Sequence, residues 1–319
     1  MLRCIGEGRK VKRLFRQSLT KIIAAVREIP LLSGMRKVFL SLLVACVAVA
    51  FTGRSENSLP NSCKISGFAI GCQAYTFNRF TAFEAIEKTA EAGGKCIEFY
   101  PNQKFSPDQP EVKLDHNLSA ENIKKLKAKL KKHHIRAVNY GVVGGKNPED
   151  WRKIFQFAKT MGLYGITTEA VHDLDEIEKL VKEFDIHVGI HEHAKREDDP
   201  SYKVWDPSYV LSVVKDRDRR IGACADTGHW QTSGLDPLEG IKILKGRIIS
   251  CHLKDKTEKG HQGHDVPYGT GGGRIKDILD ELKAQGFKGN FSVEYEYNWL
   301  HSVPEVKQCI DFVKAYGKK

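Results

Sequence analysis

Four short stretches carry the side chains best suited to chemistry. "CADTGHW" brings Asp226 and His229 together around Gly228, "ISCHLKD" carries His252 and Lys254, "FSVEYE" carries Glu294 and Glu296, and "GIHEHA" holds His191 and His193. Glu98 and Glu169 stand near the ends of two further apolar runs. Carboxylate oxygens and imidazole nitrogens without a thiolate form the donor set of one divalent ion, Mn²⁺, Zn²⁺, Co²⁺ or Fe²⁺, rather than of a structural zinc. Taken singly, a His or Asp at such a position is more often a hydrogen-bonded rim residue. That is the plainer reading of Glu98 and His193; His229 reads equally as a turn cap and Glu296 as a rim ion-pair partner.

The elements that must position these residues are legible as a repeat. Eight apolar runs, covering 68–75, 95–100, 135–142, 164–170, 186–192, 221–226, 248–253 and 290–296, alternate with amphipathic helical segments. Asn147-Pro148, Asp206-Pro207 and Asp236-Pro237 each pair an N-cap residue with a proline at the first helical position. Ile123, Leu126 and Leu130 keep one-face helical spacing, as do Ile154, Phe155, Ala158 and Met161. Gly93-Gly94, Gly162, Gly246 and Gly286 mark helix ends. Strands and helices alternating over this length predict a single (β/α)8 TIM barrel. A doubly wound sheet is the competing architecture, but it wants a glycine-rich turn after the first strand, and "QAYTFNRF" is not one.

In such a barrel the strand interiors are expected to fill with apolar side chains, so polar residues at the C-terminal strand ends carry the information. Alternation puts His191 with His193, His252 with Lys254, and Glu294 with Glu296 on common faces. Asp226, His252 and Glu294 then come from three successive strands. The rim reading fails for these three together, because unpaired polar ends on neighbouring strands would repel or desolvate one another without a cation. The loop "GHQGHDVPYGTGGGRIKDIL" after the seventh run reads either as a flexible rim turn, the preferred reading, or as a phosphate cradle at a helix N-terminus. His264 and Asp265 in the same loop are candidates to face a substrate.

The N-terminal part of the chain reads differently. From Met35, "MRKVFLSLLVACVAVAFTG" has a basic pair, an apolar run and small residues, the pattern of a signal peptide over 35–50. A lipoprotein box ending at Cys46 and an uncleaved anchor or buried helix are the weaker alternatives. Residues 1–34 form a basic extension or precede the true start, 51–66 a linker, and 67–319 the barrel. Localisation outside the cytoplasm, periplasmic or extracellular, with no stable membrane span after processing, is the corresponding expectation. The net charge of +11 is mostly leader: residues 1–54 hold eleven Lys and Arg against two acidic residues, leaving forty against thirty-eight. The near-neutral remainder argues against a nucleic-acid partner, and the Lys-rich run "IKKLKAKLKKHH" reads as a solvated helix face. Six cysteines follow the leader without a C-x-x-C pair, and no disulfide pairing is deduced.

With "CADTGHW", "ISCHLKD", "VPYGTGGG" and "FSVEYE" in this order, residues 66–316 resemble the sugar isomerase and epimerase superfamily with the xylose isomerase-like barrel. The resemblance implies metal ligands on strands 5 to 8, which fall on His191, Asp226, His252 and Glu294. The family's strand-5 ligand is usually Glu, so His191 is a departure that puts a symmetric two-carboxylate proton shuttle in doubt. Glu169 is then the residue to complete the metal shell, giving Glu294, His191 and Glu169 as catalytic candidates. His191 or His193 carries a proton, and His193, His229, Lys254, His264 and Glu296 are left to bind substrate. The implied activity is isomerisation or epimerisation of a small-molecule sugar through a metal-stabilised enediolate. A lyase or hydratase acting on 3-keto glycosides is the runner-up, and a non-catalytic sugar-binding barrel the reading from another class. An endonuclease IV-like activity, which needs three zinc ions and a basic groove, does not fit. A homo-oligomer is left open.

Overall fold

The structure, a computed structural model, describes residues 58–318; the extension 1–34 and the signal segment 35–50 lie outside the described residues. Eight strands form one closed parallel sheet: β1 Phe68–Gln73, β2 Cys96–Phe99, β3 Arg136–Tyr140, β4 Gly165–Thr168, β5 His187–His191, β6 Ile221–Asp226, β7 Ile248–Leu253 and β8 Asn290–Val293. They neighbour one another in chain order, and β8 pairs with β1 to close the ring. The chain is a (β/α)8 barrel.

Helices sheathe the ring: α1 Ala82–Glu91, α2 Ala120–Lys132, α3 Pro148–Met161, α4 Leu174–Phe184, α5 Pro207–Val214, α6 Pro237–Ile243, α7 Ile275–Ala284 and α8 Val303–Tyr316. A further short helix, Thr227–Thr232, follows β6 directly. The Asx-Pro starts behave as their chemistry requires. Asn147, Asp206 and Asp236 each accept a backbone N–H of the first turn, at 2.9, 2.8 and 2.9 Å. Between ring and sheath lies the apolar core, which includes Ile70, Ile97, Phe99, Ile166, Val188, Ile190, Phe291 and Val293 of the strands' outward faces. Among the described residues no helix is long and apolar enough to cross a membrane.

Two expectations are corrected. The barrel fold begins before residue 67: Lys64–Ile65 pairs antiparallel with Phe68 and Ala69 across a tight turn. Ser66 and Gly67 sit at φ of 54° and 91° there, the pair of positive values a two-residue hairpin demands. Leu59 and Cys63 pack with Ala69, Cys96, Val138, Tyr164 and Ile249, closing the ring's lower end with an apolar plug. Above that plug the interior is not apolar. Gln73, Glu98, Asn139, Thr167, Ser250, Asn290 and Ser292 are all buried on the strands, because the ring supports a polar site instead of a plain hydrophobic fill.

Close strand approach depends on small residues inside. A Cβ added at Gly222 of β6 would stand 1.9 Å from the Arg247 carbonyl oxygen, and that same oxygen accepts the Ala223 N–H at 2.8 Å. Gly222→Ala is therefore expected to destabilise the barrel by about 2–3 kcal/mol, read as a lowered urea midpoint at unchanged m-value.

Candidate metal centre

The mouth of the barrel is set by register. His252 of β7 lies directly beside Asp226 of β6, and His191 of β5 beside Cys224, one step further down. Glu294 follows the last residue of β8, whose Val293 pairs with Leu253. One donor atom each of His191, Asp226, His252 and Glu294 lies within 4.8 Å of all the others, and all four residues are buried. Asp226 Oδ2 is 3.5 Å from His191 Nε2 and 3.6 Å from His252 Nδ1, which in turn is 3.2 Å from Glu294 Oε2. Two ligands on an ion at about 2.0–2.2 Å stand roughly 3–4 Å apart.

The same four atoms, His191 Nε2, Asp226 Oδ2, His252 Nδ1 and Glu294 Oε2, lack a hydrogen-bond partner. Buried polar atoms left unpaired cost several kcal/mol in sum, about 1–3 each, and converging unpaired donors on one point are what a cation relieves. The residues therefore fit a divalent ion held by two imidazoles and two carboxylates.

Outer partners aim these ligands. Asp226 Oδ1 accepts the backbone N–H groups of Gly228 at 3.0 Å and His229 at 2.8 Å, so that Oδ2 alone is left toward the cluster. Behind His191, Nδ1 meets Glu169 Oε1 at 3.1 Å, and Tyr202 Oη donates to Glu169 Oε2 at 2.9 Å. Behind His252, Nε2 is 3.1 Å from Glu98 Oε1, which accepts Thr167 Oγ1 at 2.9 Å, while Ser292 Oγ donates to Glu98 Oε2 at 3.1 Å. A carboxylate thus stands behind each imidazole, hydrogen-bonded at His191 and within ion-pair distance at His252, the usual support of metal-ligating histidines.

Charge is balanced locally. Lys254 is buried, with Nζ 2.7 Å from Glu294 Oε2 and 3.1 Å from Asp226 Oδ2; its aligned hydrogen bond goes to Glu296 Oε1 at 3.2 Å. Burial raises the Asp226 carboxyl, but His229 and the Lys254 ammonium outweigh it and hold the group well below its ordinary value. Glu294 is lowered against its own burial by Lys254 and His252. His252 is pushed well above the ordinary imidazole range, its burial overcome by Cys224, Glu98 and Glu294. Burial, joined by neighbouring positive groups, drives His193 down and His229 further down, so both stay neutral. Their rings lie 4.1 Å apart between centroids.

A cavity of about 300 Å³ opens on the cluster, lined by His191, His193, His229, Glu294 and Glu296 together with Gln73, Tyr75 and Tyr100. A second, of about 340 Å³, shares His193, His229 and Glu296 and adds Lys254, Lys256, His261 and Asp265.

The candidates sort clearly. His191, Asp226, His252 and Glu294 come together. His193, His229, Lys254 and Glu296 line the cavities around them. Glu169 does not join the cluster: it stands behind the His191 ring, on the side of Nδ1, and its expected place in the metal shell is revised to that of an orienting carboxylate. His264 is corrected too. It lines neither cavity and is exposed, its ring 4.3 Å from Tyr297, because the short strand Asp265–Val266 turns Asp265 inward and its predecessor outward. Asp265 lines the second cavity, its carboxyl raised to about 6 by burial against the pull of Lys254. Glu98, read as a rim residue, is fully buried. Sequence reasoning passed over Tyr202, Tyr75 and Tyr100; the two pocket tyrosines follow strand ends, whereas nothing in the loop bearing Tyr202 signals its partner.

The glycine-rich loop cradles an anion, but an internal one. Gly269 and Gly271 N–H groups donate to Asp255 Oδ2 at 2.8 and 3.0 Å, and Gly273 N–H to Asp255 Oδ1 at 2.7 Å. The phosphate-cradle alternative is excluded there by the carboxylate already in place.

The sequence model of the xylose isomerase-like TIM barrel matches residues 86–316. The chain belongs to that family. Among solved structures it is similar to an uncharacterized protein from Parabacteroides distasonis, 32% identical at a TM-score of 0.63, over 77% of this chain and 98% of that one. A D-tagatose 3-epimerase-like protein shares the fold at 18% identity and a TM-score of 0.61, over 78% of this chain and 97% of that one. An uncharacterized protein of Methanocaldococcus jannaschii is 28% identical over 128 residues, 38% of this chain, and the match spans only 41% of that relative's length.

Because Glu169 acts through His191, Glu169→Gln is expected to weaken the metal affinity by about 10–100-fold while leaving one ion per chain, measured by chelator competition and elemental analysis.

Proposed function

We propose that this xylose isomerase-like barrel is a metal-dependent carbohydrate enzyme that moves a proton on a carbon next to a sugar carbonyl, as a sugar isomerase or epimerase. The observation that carries the reading is the convergence of four buried ligand atoms, none of them in an aligned hydrogen bond, beside a cavity whose other polar walls are neutral imidazoles, a lysine and a glutamate. His191, Asp226, His252 and Glu294 would hold the ion, which supplies Lewis-acid polarisation of a carbonyl when bound.

The chain's own groups divide the remaining work. Glu294, paired with the Lys254 ammonium at 2.7 Å, is a carboxylate able to accept a proton from a carbon lying in the cavity. Lys254, aligned on Glu296 Oε1, presents an ammonium for substrate hydroxyl or carbonyl oxygens. His191 is committed at both nitrogens, to the cluster and to Glu169, so the second proton carrier is His193, neutral and lining both cavities. His229 packs against it and keeps the imidazole pair oriented. The name of the tagatose epimerase-like neighbour agrees with this chemistry.

A second reading is favoured by the asymmetry of these carriers. One carrier is a carboxylate and the other an imidazole, a pairing that suits β-elimination from a 3-keto glycoside, with Glu294 taking the α-proton and His193 serving the leaving oxygen. Export, read from residues 35–50, belongs to the same proposal; N-terminal sequencing of secreted protein is expected to begin close after Ala50.

Metal-loaded protein incubated with free ketoses and with 3-keto glycosides in deuterated water tests both readings. Deuterium in recovered sugar supports isomerisation or epimerisation; released aglycone with an unsaturated product supports elimination. Neither outcome with any of these substrates overturns the proposal. His193→Gln is expected to lower turnover by about 10²–10⁴-fold at unchanged metal content, and full activity in that variant removes its role.

A further inference from the structure

Aromatic side chains gather at the mouth of the metal-cluster cavity. Of the four large hydrophobic residues exposed among the described residues, three stand on this rim: Tyr75 after β1, and Tyr297 and Leu300 after β8. β1 and β8 are paired neighbours, so their two loops lie side by side. Tyr75 meets Tyr100 edge-on at 5.2 Å between ring centroids and Trp299 edge-on at 5.9 Å, and the Arg79 guanidinium lies 5.9 Å from the Trp299 ring. Tyr75 and Tyr100 line the same cavity as His191 and Glu294.

The backbone beneath this group is fastened rather than loose. Tyr75 N–H donates to Gln73 Oε1 at 3.1 Å, and Gln73 Nε2 donates to the Gly141 carbonyl at 2.9 Å. Thr76 Oγ1 donates to the Val293 carbonyl at 3.2 Å and accepts the Tyr295 N–H at 3.0 Å, binding the first loop to the eighth. Tyr75 is exposed while Tyr100 and Trp299 are half-buried, and such a fixed, partly exposed set beside a polar cavity is a preorganised contact surface. Aromatic faces carry a negative quadrupole and attract the C–H-rich face of a sugar or the edge of an aryl ring.

We propose that Tyr75 and Trp299, backed by Tyr100, form a stacking platform for the second ring of a two-ring glycoside whose first ring lies at the metal cluster. This rests on the carbohydrate reading above and narrows it: the ligand is a disaccharide or an aryl glycoside rather than a free monosaccharide. The ring attached through the glycosidic oxygen leaves the polar cavity and meets the aromatic rim, where an uncharged flat face is accepted.

Calorimetric titration of the metal-loaded full chain with methyl β-glucoside, cellobiose and nitrophenyl β-glucoside tests it. None of the three carries a ketone, so binding and turnover fail independently. Both two-ring probes, or one of them, are expected to bind about tenfold more tightly than the methyl glucoside. Preference for cellobiose alone identifies a sugar as the second ring, and preference for the nitrophenyl glucoside alone an aryl group. Trp299→Ala, outside the cavity lining, is expected to erase the preference and leave the methyl glucoside affinity unchanged; Tyr75→Ala is expected to erase the preference, and Tyr75→Phe to keep it. Trp fluorescence should shift on adding the preferred two-ring probe and not the one-ring probe, a response lost in Trp299→Phe. Equal binding of one- and two-ring probes, no binding of either two-ring probe, or a preference that survives Tyr75→Ala overturns the platform.

Discussion

Four polar atoms with no hydrogen-bond partner, brought from four consecutive strands to one point, are the constraint around which this barrel is organised. No single strand could hold His191, Asp226, His252 and Glu294 together; parallel pairing in unbroken order from β5 to β8 does so by placing strand ends in register. The arrangement is unfavourable taken alone, since four ligand atoms have left water and the Lys254 ammonium compensates only the two carboxylate oxygens. It persists because three of the four ligands are held from behind and the fourth, Glu294, is paired with the Lys254 ammonium. Asp226 is fixed by two backbone donors of the helix that starts at Thr227, His191 by Glu169 and Tyr202, and His252 by Glu98.

That grip explains the polar interior below the site. Glu98 reaches across the ring to Thr167 of β4 and Ser292 of β8, so a carboxylate supporting one ligand also ties opposite walls together. An all-aliphatic interior would pack more simply but would leave His252 free to rotate. The apolar load is shifted to the layer between ring and helices, and to the plug of Leu59 and Cys63 at the closed end. Lys254 completes the balance: its ammonium sits among Asp226, Glu294 and Glu296, so the acidic mouth is partly neutralised by the chain itself.

The sequence was most readable where short-range rules operate. Strand alternation, Asx-Pro helix starts and glycine helix ends yielded eight strands in the right places, and the residue types at the strand ends yielded Asp226, His252 and Glu294 as a group. The strand-5 position came from family likeness, not from spacing. What escaped was set by distance in the chain. Glu169 and Glu98 are strand-end carboxylates like any ligand, and only the folded ring decides that they stand behind the imidazoles. His264 was misread by one step of alternation across a two-residue strand. The boundary at residue 67 missed the plug, because Leu59 and Cys63 find their partners on β1, β2, β3 and β7 and beside β4. Nothing local marks such contacts.

Asp255 gives the glycine-rich loop an occupant of its own. Three backbone amides that could have waited for a ligand are already satisfied by a side chain two residues past β7. The loop is consequently shaped in advance, and no part of a substrate's affinity is diverted into ordering it. A dianionic headgroup arriving at this corner would find all three amides already taken by the chain's own carboxylate.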